Sequence, residues 1–276
     1  MTEKVYDGTF FNIQDTLECG QIFRFRPFKE GYLVISGDKA CYAFNDGKGI
    51  VVISEDGEYF DNFFDMGVNY GEIVDFALES RFDILKTAAA KGSGVRILRQ
   101  QKEEMLFSFI VSQNNHIPRI KKCIETMCEK LGEEKVFMGE KYYSFPKAAK
   151  IAEAGERFFA ENGFGYRASY MDKCANELLS GFDLEELDKL PTAEMKKRLL
   201  TLYGIGPKVA DCISLFGYHR TDSFPVDTWI EKIYREDFKG ELTDRNKITS
   251  YFTELFREKS GYMQQYLFYY KRSLEK

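Results

Sequence analysis

Metal-binding side chains are scarce in this chain. It has two histidines and six cysteines in 276 residues, and the cysteines at 19, 41, 123, 128, 174 and 212 never form a CxxC pair. Neither a zinc site nor a cluster site can be assembled from such spacing. The irregular spread reads as reduced, mostly buried thiols rather than a disulfide framework. Long apolar runs are missing too, since no stretch approaches the roughly eighteen residues that span a bilayer. The opening MTEKVYDGTFF has no basic start, apolar run or small-residue cleavage site. The expectation is a soluble, cytoplasmic protein that makes no membrane contact. Positive charge is also short, with 39 Lys and Arg against 44 Asp and Glu, a net charge of −5. A phosphate-rich partner would therefore have to be met by local patches rather than by the overall field. Such patches exist at Arg96 with Arg99, at Arg119 with Lys121 and Lys122, at Arg167, and at Lys196, Lys197 and Arg198.

Apolar and aromatic residues are plentiful, 44% and 16% of the chain, enough for a substantial core. Between Phe11 and Ile53, the segments QIFRFRPF, YLVIS, CYAFN and IVVIS alternate with turn signals such as Glu30-Gly31, Gly37-Asp38 and Asn45-Asp46-Gly47. This pattern predicts an antiparallel meander. From about Tyr59 the period lengthens to that of amphipathic helices and stays so to the end. Gly92-Ser93-Gly94 offers a small-residue break. The fold expected is α+β: an N-terminal antiparallel sheet domain with a few helices over 1–93, then an all-helical domain over 94–276.

The richest stretch runs from Thr192 to Gly217, TAEMKKRLLTLYGIGPKVADCISLFG. Thr192 is placed to cap a helix with apolar positions at Met195, Leu199 and Leu202, which Gly204 ends. Gly206 and Pro207 then open a second helix, because proline at the first helical position lacks only a donor that would be unpaired anyway. Gly204 and Gly206 allow a tight turn and close approach of a ligand, and the free N–H groups of the new helix suit a phosphate. A plain turn between core helices would look similar. Lys208 separates the readings: it lies in the first turn, where a cation costs roughly 0.3 to 1 kcal/mol against the helix dipole. The same field is expected to favour the neutral, nucleophilic amine. Cys212, one helical turn on, shares its face. Further on, Ser223-Phe224-Pro225-Val226-Asp227 places Asp227 to cap the next helix, a role worth about 1 kcal/mol. A carboxylate brought near Lys208 would also stabilise positive charge on a sugar or assist proton transfer.

A helix-hairpin-helix with GPK, followed by PVD, resembles the glycosylase superfamily that carries a catalytic lysine and aspartate at these points. Relatives of endonuclease III in that superfamily end in a cluster held by four cysteines, yet no cysteine follows Cys212. Four further segments are similar to the 8-oxoguanine DNA glycosylases, in the same order. Cys19-Gly20-Gln21-Ile22-Phe23-Arg24-Phe25 resembles the strand entry whose glycine carbonyl, here of Gly20, accepts from the base. Guanine carries an acceptor at N7 and 8-oxoguanine a donor, so one carbonyl can tell them apart. Leu106 to Arg119 resembles the segment in which Asn114 would fill the gap left by the extruded base and Arg119 would contact the partner cytosine. Asn162 to Ala168 resembles the GYRA segment, with Tyr166 as wedge and Arg167 reaching the same cytosine. Gly261 to Phe268 resembles the last helix, where Gln264 and Phe268 hold and stack on the flipped base, four apart on one face. The chain departs from animal members at Trp229 and Lys271, where a histidine and the aspartate that orients it would stand, so a phosphate near the lesion must be met differently.

The resemblance implies a bifunctional glycosylase and lyase of base excision repair. It would act on double-stranded DNA containing oxidised guanine, through a Schiff base on Lys208 with Asp227 as partner. The flipped base would lie between Phe268 and Cys212, read by Gly20 and Gln264. The DNA contacts would come from Asn114, Arg119, Tyr166, Arg167, Gly204 and Gly206. A monomer is expected, nucleoid-associated if bacterial, with no metal or redox cofactor. Two rivals share the hairpin: a glycosylase for alkylated bases, which uses activated water and does not need Lys208, and a non-catalytic module that binds DNA structure only.

Overall fold

A computed structural model of the protein describes residues 1–274. Five strands, β1 (Thr2–Tyr6), β2 (Phe25–Phe28), β3 (Gly31–Ser36), β4 (Lys39–Asn45) and β5 (Ile50–Ser54), form one antiparallel sheet in the order β1-β5-β4-β3-β2. The meander is the one expected, with register Leu33 to Tyr42 and Cys41 to Ser54, except that β1 adds itself to the outer edge of β5. Strand periodicity sends alternate side chains to opposite faces. Val34, Cys41, Ala43 and Val52 turn to one face with Phe11, Phe60 and Phe64. There they meet α1 (Ile13–Glu18) and α2 (Gly57–Phe63).

Leu33, Ile35, Ala40 and Tyr42 turn to the other face, where Phe137 and Tyr142 cover them. Those two belong to β6 (Glu134–Phe137) and β7 (Glu140–Tyr143), a hairpin inside the later part of the chain. The expectation that this part is purely helical is corrected here. Met138 and Gly139 both take positive φ, 52° and 85°, the geometry of a two-residue turn between twisted strands.

The helices that follow the sheet are α3 (Tyr70–Leu78), α4 (Asp83–Gly92), α5 (Lys102–Ser112), α6 (Ile117–Leu131), α7 (Ala148–Glu161), α8 (Arg167–Leu179), α9 (Thr192–Leu199), α10 (Pro207–Tyr218), α11 (Thr228–Glu236), α12 (Arg245–Phe256) and α13 (Ser260–Ser273). They share one large core that also takes in Cys19 and Phe23 from the sheet segment. The α+β class stands. All six cysteines are free and buried.

Polar side chains lock the sheet segment onto the helices. Arg24, buried, donates to Gly37 O at 3.0 Å and pairs with Glu104 of α5 at 3.3 Å. Arg96, also buried, donates from Nε to Phe64 O at 2.8 Å, and Arg99 Nε donates to Asp65 Oδ1 at 2.7 Å. Burying cations this way requires that their donors be satisfied. Arg96 is therefore a brace inside the molecule rather than part of a phosphate-binding patch, while Arg99, partly exposed, is tied down by Asp65.

Candidate active site

The hairpin forms as its glycines require. α9 ends at Leu199, earlier than expected, and Leu202 lies in the turn beyond it. Gly204 takes φ +86°, and a Cβ there would come within 2.6 Å of the Tyr170 ring, so both backbone and packing demand glycine. Gly206 is the N-cap of α10 and Pro207 its first residue. Thr192 does not cap α9, because Pro191 holds that position. Its hydroxyl donates instead to Asp222 Oδ1 at 2.8 Å.

Lys208 points from the first turn of α10 over Phe109 of α5, with Nζ 5.5 Å from the ring centroid. Its amine lies against the Cys212 sulfur and within the fields of Asp227 and Asp211. Burial pushes the amine toward neutrality, but its hydrogen bond to that sulfur and the charges of the two carboxylates outweigh burial, and its pKa stands above the ordinary lysine value. The expectation of a neutral amine is thus reversed in the ligand-free protein. The helix dipole is a partial charge, and full carboxylates close by overcome it. Burial likewise pushes the Cys212 thiol up to about 11, against the pull of Lys208, so at neutral pH it is a protonated thiol.

Asp227 caps α11, its Oδ1 accepting from Ile230 N at 2.9 Å. Burial raises its pKa, while that backbone bond and Lys208 pull it down. Phe224, fully buried and stacked on Phe252 at 4.3 Å, anchors the segment that returns Asp227 toward α10. Asp211 was not anticipated. It is buried and ion-paired with Lys196 of α9; its place three residues after Lys208 alone could have suggested that it acts on the amine.

A second group gathers around Gly20. Its φ is +91°, and a Cβ there would meet Phe268 Cε1 and Arg272 Nη1, each at 3.1 Å. Gln264, 5% exposed, has an Oε1 without a hydrogen-bond partner among the described residues. A buried unpaired acceptor is costly unless a ligand satisfies it. Phe109 connects the two groups: its ring is 5.9 Å from that of Phe23, just past Gly20, and it lies beneath Lys208.

The third group surrounds the end of α5. Asn114 is exposed with φ +45°. Tyr166 is 51% exposed, with its hydroxyl 3.1 Å from Gln113 O. Arg119 donates to Gly163 O at 2.9 Å. Arg167 is buried, and its guanidinium is engaged by the carbonyls of Gln113, Asn114 and Phe164. It braces the Asn114 turn from within. Gln113, which sequence reasoning passed over, ties this turn to the hairpin by donating to Gly204 O at 2.8 Å. Where an orienting aspartate would stand, Lys271 pairs with Glu236 at 3.0 Å, and Trp229 is half-buried. Among the described residues, no group of three His, Cys, Asp or Glu side chains is placed to hold a metal ion.

A sheet segment packed on a helical domain, with a lysine at the start of the hairpin's second helix, defines the helix-hairpin-helix class of base excision proteins. Residues 107–258 match the family described as HhH-GPD superfamily base excision DNA repair protein. Residues 5–106 match the 8-oxoguanine DNA glycosylase N-terminal domain. The chain belongs to the 8-oxoguanine DNA glycosylase family. It is similar to MBOgg1, solved in complex with a low-affinity DNA ligand, at 34% identity and TM-score 0.92 over 100% of both chains. It is also similar to the Clostridium acetobutylicum 8-oxoguanine glycosylase/lyase, solved with double-stranded DNA containing cytosine opposite 8-oxoG. There the identity is 36% and the TM-score 0.91 over 97% of this chain and 94% of that one. The N-glycosylase/DNA lyase OGG1 of Arabidopsis thaliana is 34% identical over 190 residues, 63% of this chain and 51% of that protein. The chain thus spans about half the length of the Arabidopsis protein.

Proposed function

We propose that the protein excises 8-oxoguanine from duplex DNA and then cleaves the strand, with Lys208 as the nucleophile of both steps. The observation that carries this reading is the Lys208 amine held against Cys212 and over Phe109, at the N-terminal end of the hairpin's second helix. The Nζ lone pair attacks C1′ of the lesion nucleotide, and the glycosidic electrons leave with the base. Asp227, whose charge faces the amine, stabilises the positive charge that develops on the sugar. The aminal opens to an imine as the ring oxygen takes a proton. Loss of a C2′ proton then expels the 3′ phosphate, and water releases the lysine. The amine must first shed a proton, because the free protein holds it charged.

Base recognition follows from the second group of residues. Guanine-type bases present N1–H and N2–H donors, and the unpartnered Gln264 Oε1 is an acceptor for them. Gly20 O accepts from N7–H, and Phe268 and Cys212 sandwich the ring. Asn114 fills the space of the extruded base with Tyr166 as wedge beside it, Arg119 reads the opposite cytosine, joined by Arg167 once that side chain lets go of the Gln113 and Asn114 carbonyls, and Gly204 with Gly206 bring backbone N–H groups to a phosphate. We take the protein to act as a monomer in the cytoplasm on DNA. No helix among the described residues is long and apolar enough to cross a membrane.

A panel of duplexes tests the substrate. Release of 8-oxoguanine opposite cytosine together with strand cleavage is expected, with no release of 3-methyladenine. Release of alkylated bases alone would replace this reading by the water-activating one.

A further inference from the structure

The short helix that leads into Gly20 is completed by the last helix of the protein. The final carbonyls of a helix have no partners within it, and α1 is only six residues long. Three side chains of α13, spaced by four and three residues and so on one stripe, hold α1, two of them by its end carbonyls and the third by a side chain. Gln265 Nε2 donates to Cys19 O at 3.0 Å in a buried bond. Arg272 Nη1 donates to Glu18 O at 3.0 Å. Tyr269 donates its hydroxyl proton to Asp15 Oδ1 at 2.7 Å. Gln264 and Phe268 belong to the same helix, so the readers of the base and the tethers of the Gly20 loop move together.

Arg272 is the tether whose guanidinium packs against Gly20 itself. Its Nη1 would lie 3.1 Å from a Cβ on Gly20. It also lines a cavity of about 320 Å³ beside Gly20, together with Phe25, Ile117 and Lys121. An acceptor discriminates between N7 and N7–H only if it is held in place. A carbonyl free to swing would relax away from the N7 lone pair of guanine and would bond less well to the N–H of 8-oxoguanine.

We propose that Arg272 is a positioning residue for lesion recognition: by holding the Glu18 carbonyl it fixes the direction of the Gly20 carbonyl, and with it the preference for 8-oxoguanine over guanine. This rests on the reading that Gly20 O accepts from N7–H. Lys208 chemistry at a site that has already lost its base does not use Gly20, which separates positioning from general damage.

The test compares single-turnover release of 8-oxoguanine opposite cytosine with strand cleavage at a preformed abasic site, for the wild type, Arg272→Leu and Arg272→Lys. Arg272→Leu is expected to lose about tenfold or more in base release, the scale of one charge-assisted hydrogen bond, and to cleave abasic sites at the wild-type rate. Arg272→Lys, which can still donate to the carbonyl, is expected to recover most of the loss. Equal loss in both assays, or no loss in either, overturns the inference. Gln265→Leu, which removes the neighbouring tether, is expected to show the same split and serves if Arg272→Leu folds poorly. A wild type that cleaves abasic sites but never releases 8-oxoguanine would refute the substrate reading itself, and this inference with it. A wild type active in both assays beside an unaffected Arg272→Leu would refute the inference alone.

Discussion

Lys208 is kept charged by its neighbours. Burial favours the neutral amine, but the hydrogen bond to Cys212 and the charges of Asp227 and Asp211 raise its pKa above the ordinary lysine value. At neutral pH the reactive form is then a small fraction that grows with pH. Where chemistry is rate-limiting, the log of the single-turnover excision rate should climb with pH from about 6 to 9. A flat profile over that range would mean that the amine is already neutral, or that another step limits the rate. The position of Lys208 was legible in the sequence because Gly206, Pro207 and the lysine are consecutive. Its ionisation was not, because it depends on Asp227, which only the fold brings near. Arg119, exposed beside Gly163, makes the opposite-base prediction at this scale. Arg119→Met should flatten the preference for cytosine over adenine opposite the lesion, by about 1 to 3 kcal/mol if the contact is bidentate, while abasic-site cleavage persists. Unchanged discrimination would assign Arg119 to phosphate.

The two helices of the hairpin are joined by more than their turn. Lys196 of α9 pairs with Asp211 of α10, whose side chain is almost wholly buried. Removing one partner of such a pair leaves a charge without compensation, at a cost of about 3 to 5 kcal/mol when fully buried and less here, where Lys196 is partly exposed. Lys196→Met should therefore lower the unfolding free energy by roughly 2 to 3 kcal/mol in denaturant titrations. The double variant Lys196→Met, Asp211→Leu should recover part of that loss. Equal stability of wild type and Lys196→Met would show the pair to be idle. At the level of elements, the meander was readable from its turn residues and period, and Asp227 as a cap from its place before a helix. The β6–β7 hairpin was not, since a methionine at positive φ is no turn signal and Phe137 and Tyr142 are held by the face of a distant sheet. Strand β1 escaped for the same reason: TEKVY gains its structure only by pairing with β5.

At the scale of the whole molecule, the sheet segment is fastened to the end of α10 through Asp65. Its carboxylate, 1% exposed, accepts from Arg99 Nε at 2.7 Å and Tyr70 OH at 3.0 Å and lies 3.1 Å from His219 Nε2, just past α10. Burial raises its pKa, but His219 and Arg99 outweigh burial and hold it below the usual carboxylate value. A depressed folded value means that this stabilisation is present above the unfolded pKa of about 3.9 and lost as pH falls through the folded one. Asp65→Asn should thus lower the melting temperature most at neutral pH, and the gap from wild type should narrow as pH falls toward 3. A constant gap would show that the charge is not what matters. Arg96 was read from the sequence as surface charge because nothing local marks a buried arginine. Only the assembled core reveals its carbonyl partners. The central claim, that this assembly delivers a lysine to C1′ of a flipped oxidised guanine, is tested most directly by borohydride trapping on a duplex with one 8-oxoguanine opposite cytosine. The wild type should yield a covalent protein–DNA adduct, and Lys208→Gln should bind the same duplex and yield none. An adduct of undiminished yield from Lys208→Gln would place the chemistry on another amine and contradict the account.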